Sequence, residues 1–253
     1  MAYVERPGAR VHYEVRGSGP AILLSHGFSA TAGMWDVNAP ALSRAHRLVT
    51  WDMRGHGDSD SPEDPSLYSE EATLGDMNAI LDAVGADKAV IGGLSLGGFM
   101  SLAFNRSFPE RVRALLIIAT GPGFRKDEAR AEWNVYAETM AQKLEAKGLD
   151  YLKRLTPEMA TSRHRTADGL VKAARGMLGQ RDGSVMESLP HIRVPALIVV
   201  GEKDKGFLNA AAYMAEKIPN ARRVTIPDAG HAVNIEQREA FDAAVTEFLA
   251  SLP

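Results

Sequence analysis

Apolar residues along this chain fall into two alternating rhythms. The runs in "PAILLSHG", "HRLVTWD", "KAVIGG", "VRALLIIAT" and "PALIVVG" are short and nearly continuous, as strands buried on both faces require. Between them the apolar positions recur at helical spacing. "MWDVNAPALSRAH" carries Trp35, Ala39, Leu42 and Ala45 on one face, with Pro40 near its first turn. "SEEATLGDMNAILDAVGADK" opens on a capping candidate, Ser69, and stops near Gly85. "LGGFMSLAFNRSFPE" is closed by Pro109, and "GFLNAAAYMAEKIP" and "EQREAFDAAVTEFLASL" complete the set. At the start, "AYVER" and "ARVHYEVR" flank Pro7-Gly8 and predict a hairpin. A last strand is expected in "ARRVTIPD".

Strands alternating with helices imply crossover connections, hence an α/β fold: a mostly parallel, doubly wound sheet of about eight strands. The rhythm breaks only from Gly121 to Pro190, where "KDEARAEWNVYAETMAQKLEAKG", "LDYLKRL" and "ADGLVKAARGMLG" are amphipathic with no strand between them. The expected organisation is therefore a core formed by 1–120 and 191–253, with a helical cap, 121–190, inserted into it.

Composition narrows the function classes. A net charge of −3 gives no broad basic surface for nucleic acid. The 253 residues include no cysteine, which removes disulfides, thiol nucleophiles and thiolate metal sites together. The charged opening "MAYVERPGARVHYEVRGSG" lacks an apolar signal core, and no stretch is apolar for long enough to span a bilayer. The expectation is a soluble, cytoplasmic protein; nothing in the sequence fixes its oligomeric state.

The chemistry concentrates around "GGLSLGG". Gly93-Leu94-Ser95-Leu96-Gly97 fits G-x-S-x-G, in which a strained strand-to-helix turn holds one hydroxyl clear of the sheet. Small residues at 93 and 97 let strand and helix approach closely. Five residues alone fit a passive glycine turn as well. The apolar run before Ser95 and the helical pattern after it favour a nucleophile elbow.

A hydroxyl needs a base to become nucleophilic. Of seven histidines, His12 and His46 are expected at the surface, and His164 in a solvated basic stretch, "SRHR". His191 precedes a strand and so lies at the wrong edge of a parallel sheet. His26 is expected to brace neighbouring loops, and His56 to be an ordinary loop residue. His231, in "DAGHAVNIEQ", follows the last strand and lies at the carboxyl edge, where such sheets carry their sites. An acid must hold that imidazole. "GEKD" offers Glu202 and Asp204 after a buried strand; Asp204 is preferred, with Asp228 assigned to shaping its own turn. Oxyanion donors are expected at the backbone N–H groups of Leu96 and Phe28, the latter in the loop after the first parallel strand. In "DMRGHGDSD", Asp52 and Arg54 are expected to fix the loop by internal hydrogen bonds, not to bind a metal.

Taken together, "HGF" at 26–28, "DMRGHGDSD" at 52–60, "GLSLGG" at 93–98, "GEKD" at 201–204 and "GHAVNIEQ" at 230–237 resemble the α/β-hydrolase superfamily along nearly the whole chain. The order serine, acid, histidine agrees with that resemblance. The small capped serine hydrolases look most similar: carboxylesterases, enol-lactonases, C–C bond hydrolases, cofactor-free haloperoxidases and the menaquinone-pathway synthase. The resemblance implies hydrolysis of a small-molecule ester or lactone by Ser95, His231 and Asp204, without metal or organic cofactor. C–C hydrolysis, triad-based elimination, and a non-catalytic ligand receptor on the same fold stay open. Relatives that cleave haloalkanes or epoxides carry aspartate where Ser95 stands. The cap is expected to contribute Trp133, Tyr136 and Met140 to an apolar pocket, and "SRHR" is a candidate carboxylate site.

Overall fold

The computed structural model describes residues 2–253, apart from the side chain of Arg154. Its sheet contains β1 (Ala2–Arg6), β2 (Ala9–Arg16), β3 (Ala21–Ser25), β4 (Arg47–Trp51), β5 (Ala89–Leu94), β6 (Val112–Ile118), β7 (Ala196–Gly201) and β8 (Ala221–Ile226). They lie in the order β1-β2-β4-β3-β5-β6-β7-β8. The first two pairings, β1 with β2 and β2 with β4, are antiparallel; all the others are parallel. The doubly wound sheet expected from the alternating pattern is what the chain forms.

Each central strand buries both faces, so its successive residues enter different layers. Leu23, Val49, Ile91 and Leu115 join one cluster, with Met77 and Leu81 of α2 (Glu70–Ala83) and Met100 and Phe104 of α3 (Leu96–Ser107). Ile22, Leu24, Leu48, Val90 and Leu116 join the other, with Trp35, and with Phe241 and Val245 of the C-terminal helix at Arg238–Ala250. Burying that apolar surface on both sides is the main favourable term holding the layers together.

Between β6 and β7 the described chain has no strand. It forms a long helix, Asp127–Lys147, a 3-10 stretch, Gly148–Arg154, and helices at Pro157–Ala160, Ala167–Ala173 and Ser184–Ser188. Ala137, Met140 and Leu144 on the long helix pack with Leu170 and Met177, continuous with the first cluster. No helix of the described residues is long and apolar enough to cross a membrane.

Two expected helices differ. "LDYLKRL" is 3-10, not α. The helix expected over 34–46 is a 3-10 turn at Ala32–Trp35 and a short helix, α1, at Ala39–Leu42. Pro40 has no N–H to carry the pattern through. Asn38, at the break, is held instead by side-chain bonds to Asn234 O at 3.1 Å and Asp242 Oδ1 at 2.8 Å.

The chain winds from β3 outward to β4, then returns to place β5 on the other side of β3. That reversal opens a crevice beyond the carboxyl ends of β3 and β5, the place where sheets of this kind bind ligands. The loop after β3 holds Phe28; the turn after β5 holds Ser95.

Candidate active site

Ser95 has φ +55° and ψ −116°, a backbone state that side chains other than glycine rarely adopt. Both ends of the residue are tied down. Its N–H donates to Ile118 O of β6 at 2.9 Å, and its C=O accepts from Phe99 N at 3.0 Å, the first bond of α3. The flanking glycines are a steric need. A Cβ on Gly93 would lie 2.5 Å from Ser25 O, and one on Gly97 would lie 2.4 Å from the same oxygen and 2.7 Å from His26 O. Those are backbone atoms of β3 and its loop, so nothing flexible can move aside. Gly97→Ala is expected to destabilise the fold by about 2 kcal/mol. Equal denaturation midpoints for variant and wild type would contradict the close approach.

The other two expected residues come together. His231, in the loop after β8, donates through Nδ1 to Asp204 Oδ2 at 2.8 Å, and its ring stacks on Phe207 at 5.2 Å. Asp204 follows β7, where its N–H bonds Gly201 O at 3.1 Å and its C=O accepts from Phe207 N at 3.0 Å. Glu202 serves the turn, accepting from Asp228 N at 3.1 Å, and Asp228 has φ +58° and pairs with Lys203.

A cavity of about 590 Å³ opens over Ser95. Leu96, Phe99, Thr120 and Phe207 line it from the sheet side, and Phe124, Trp133 and Met186 from the helical segment. Of the cap residues expected there, Trp133 is a wall, whereas Tyr136 and Met140 are not. Trp133, Ala137, Met140 and Leu144 form one stripe of the long helix, and that stripe is mostly spent on packing within the segment; Met140 is 5 % exposed there. Tyr136 is turned outward, 48 % exposed, with its ring against Trp133. The pattern of the helix marks what is buried, not against what. Phe207 and Tyr213, also wall residues, follow the acid-bearing strand end, and the carboxyl-edge rule that selects Asp204 reaches them too.

The loop after β3 is braced by histidines, three of them deeper than expected. His26 is fully buried, donating through Nδ1 to Gly27 O at 2.7 Å and accepting at Nε2 from Met53 N at 2.9 Å. His56, also buried, accepts at Nε2 from Ser29 N at 3.1 Å and donates through Nδ1 to Arg54 O. His164 is no solvated residue: Gly57 N donates to its Nδ1, and its Nε2 donates to Ser29 O at 3.0 Å. Each ring thus accepts one backbone N–H and donates to one backbone C=O, which fixes it as the neutral tautomer. His12, expected at the surface, is buried beside Asp52 with Nδ1 2.8 Å from Oδ2. That hydrogen bond raises the His12 pKa against the effect of burial. Asp52 also takes Ala32 N and Asp58 N, so its oxygens are engaged in shaping the loop. His12, Asp52 and Asp58 are close enough to serve as metal ligands, but their bonds read as loop bracing. Arg54, as expected, is internal, with Nε and Nη2 each 2.7 Å from Asp76. Ser29 N, Ala30 N and Ala32 N all have acceptors here, while Phe28 N donates to none among the described residues. Leu96 N, at the first turn of α3, has no intrahelical acceptor either.

Burial holds the His164 pKa down to about 4, from an ordinary 6.5. A histidine that stays neutral when folded stabilises fully above its unfolded pKa and loses that contribution as pH falls through the interval. The loss should run from 6.5 down to about 4, and amounts to up to about 3 kcal/mol. Unfolding free energies of wild type and His164→Asn, compared across that range, should converge at the acid end. Parallel curves would contradict it.

The basic stretch does not serve the cavity. Arg165 bonds Asp60 Oδ1 at 3.1 Å, and neither it nor His164 is among the cavity's walls. His191 is exposed and precedes β7, at the far edge.

A strained serine at a strand-to-helix turn, an imidazole–carboxylate pair after later strands and this sheet order define a class. The chain belongs to the alpha/beta hydrolase family, whose model matches residues 22–244. Among curated proteins it is similar to a putative 2-succinyl-6-hydroxy-2,4-cyclohexadiene-1-carboxylate synthase of Bacillus subtilis, 29 % identical with 96 % of each chain covered. It is also similar to 3-oxoadipate enol-lactonase 1 of Acinetobacter baylyi, 28 % identical over 98 % of this chain and 96 % of that one. Among solved structures, a thermophilic esterase of Thermogutta terrifontis superposes with a TM-score of 0.86 at 27 % identity, covering 100 % of this chain and 99 % of the other.

Proposed function

We propose that this protein hydrolyses uncharged carboxylic esters or lactones of small to medium size through an acyl-enzyme on Ser95. The observation that carries the reading is Ser95, in its strained turn, at the wall of an apolar cavity whose neighbour Phe207 stacks on the His231–Asp204 pair. Segment 121–190 acts as the cap that roofs this cavity, on a core of 1–120 and 191–253.

In this mechanism the Ser95 hydroxyl attacks the carbonyl carbon while His231 takes its proton. The oxygen becomes an oxyanion held by Phe28 N–H and Leu96 N–H, each worth about 3 kcal/mol in the transition state. Collapse expels the alcohol, which His231 protonates, leaving the acyl group on Ser95. Water then repeats the sequence, with His231 as base, and releases the acid. Asp204 keeps the His231 proton on Nδ1, so that Nε2 is the working nitrogen.

The cavity walls argue for neutral substrates. The synthase and the enol-lactonase carry in their names a carboxylate and an oxoadipate, whereas among the described residues no Lys or Arg lines this cavity. An unpaired carboxylate would be buried there at a cost of several kcal/mol. The esterase, similar over its whole length, supports ester hydrolysis itself.

The test is steady-state hydrolysis of nitrophenyl esters of graded acyl length, with simple lactones and ω-carboxylated esters beside them. Neutral esters or lactones should turn over many times and the carboxylated ones poorly. A panel left untouched would overturn ester hydrolysis. Preference for the carboxylated members would overturn the neutral-substrate reading.

A further inference from the structure

The peptide unit that carries Phe28 N–H is held by a chain of bonds that reaches into the segment between β6 and β7. Gly27 lies beside Ser95, where a Cβ on the glycine would be 3.5 Å from Ser95 Cβ. In a planar trans peptide the C=O and N–H point in opposite directions. Whatever fixes Gly27 O therefore aims Phe28 N–H. Two donors do so: His26 Nδ1 at 2.7 Å and Ala30 N at 3.0 Å.

Ala30 N–H belongs to the Ser29–Ala30 unit, and the carbonyl of that unit accepts from His164 Nε2 at 3.0 Å. In the unit between, Ser29 N donates to His56 Nε2 at 3.1 Å. Three consecutive peptide units are thus each clamped by one imidazole. Ser29 sits at φ +59°, a left-handed state that a serine keeps only when held. His26 and His56 come from the loops after β3 and β4. His164 comes from between the helices Pro157–Ala160 and Ala167–Ala173, and its ring meets His56 edge-on at 5.7 Å.

His164 does not dock that segment alone. Arg165 bonds Asp60 Oδ1 at 3.1 Å, and Lys172 Nζ donates to Pro62 O at 3.3 Å. Gly169 approaches Gly55 so closely that a Cβ on Gly55 would be 2.4 Å from Gly169 O. With those contacts in place, losing His164 frees one carbonyl and leaves the segment seated.

We propose that His164 is a positioning residue: it fixes Ser29 O and, through Ala30 and Gly27, sets Phe28 N–H where the oxyanion forms. This rests on the ester-hydrolase reading and deepens it, since the oxyanion hole is then complete only with the segment over the cavity in place.

Two variants each remove one of the two His164 bonds. In His164→Asn the amide oxygen replaces Nδ1 and still accepts from Gly57 N, but nothing donates to Ser29 O. In His164→Gln the amide nitrogen replaces Nε2 and still donates to Ser29 O, but Gly57 N loses its acceptor. With a nitrophenyl ester, His164→Asn should lower kcat by about 10- to 100-fold and move KM less than about threefold. His164→Gln should restore kcat to within about threefold of wild type. A residue that only holds the fold would give the two variants equal losses. Equal kcat values, or a loss confined to KM, would overturn the proposal. His164→Ala, which removes both bonds, stands in if the asparagine variant does not fold, and should behave like it. If wild type turns over no ester, ester hydrolysis fails separately. The second-order rate of Ser95 phosphonylation by a fluorophosphonate, whose phosphoryl oxygen gains charge in the same hole, then decides about His164. A rate lowered about tenfold or more in His164→Asn and kept in His164→Gln supports it. Equal rates, or no phosphonylation, overturn it.

Discussion

Ser95→Ala should lower kcat for a nitrophenyl ester by about five to six orders of magnitude, with the thermal midpoint nearly unchanged. The hydroxyl is the atom that becomes acylated in the proposed mechanism, and nothing else in the cavity replaces it. Alanine at φ +55° bears the same backbone strain as serine, so stability stays where it was. Ser95→Gly separates the two effects. Glycine occupies that conformation without the Cβ penalty, so this variant should be just as inactive yet about 1 kcal/mol more stable. A glycine variant no more stable than the alanine one would contradict strain at the turn. An alanine variant that keeps its activity would contradict the nucleophile.

Asp204→Asn is the second large effect, expected to reduce kcat by about ten thousandfold. The carboxylate receives His231 Nδ1–H at 2.8 Å. An amide in its place can turn its NH2 toward the ring, which then carries its proton on Nε2 and can no longer take one from Ser95. The loss is specific to catalysis, since the backbone bonds of Asp204 to Gly201 and Phe207 do not involve its side chain. Unfolding free energy should therefore shift little. A fall of only a few fold would mean that another acid holds His231, with Glu202, two residues before Asp204, the other carboxylate at that strand end.

What was legible in the chain follows from how local each signal is. Ser95 could be read because a turn of this kind needs two glycines, an apolar strand and a helix, all within a short stretch. Asp204 and His231 could be read because each directly follows a strand, and a parallel sheet puts all such residues on one edge. The histidines behind Phe28 could be read only in part. His26 is the loop brace expected of it, but His56 and His164 lie far from Ser29 in sequence, and only the fold brings Ser29 N to His56 Nε2 and brings Gly57 N and Ser29 O to the His164 ring. His12 went the same way: in β2 it looks like an outward polar residue until Asp52 is placed beside it. Tyr136 and Met140 show the limit of periodicity. A stripe every three to four residues identifies the buried face of the long helix, and that face packs mostly on its own segment.

The most direct test of the central claim is to inactivate the protein with a fluorophosphonate and map the adduct by peptide mass spectrometry. The account predicts a single phosphonylated peptide containing Ser95, formed in step with loss of esterase activity and absent from Ser95→Ala. Ester hydrolysis that continues with Ser95 unmodified, or an adduct on another residue that tracks inactivation, would contradict it.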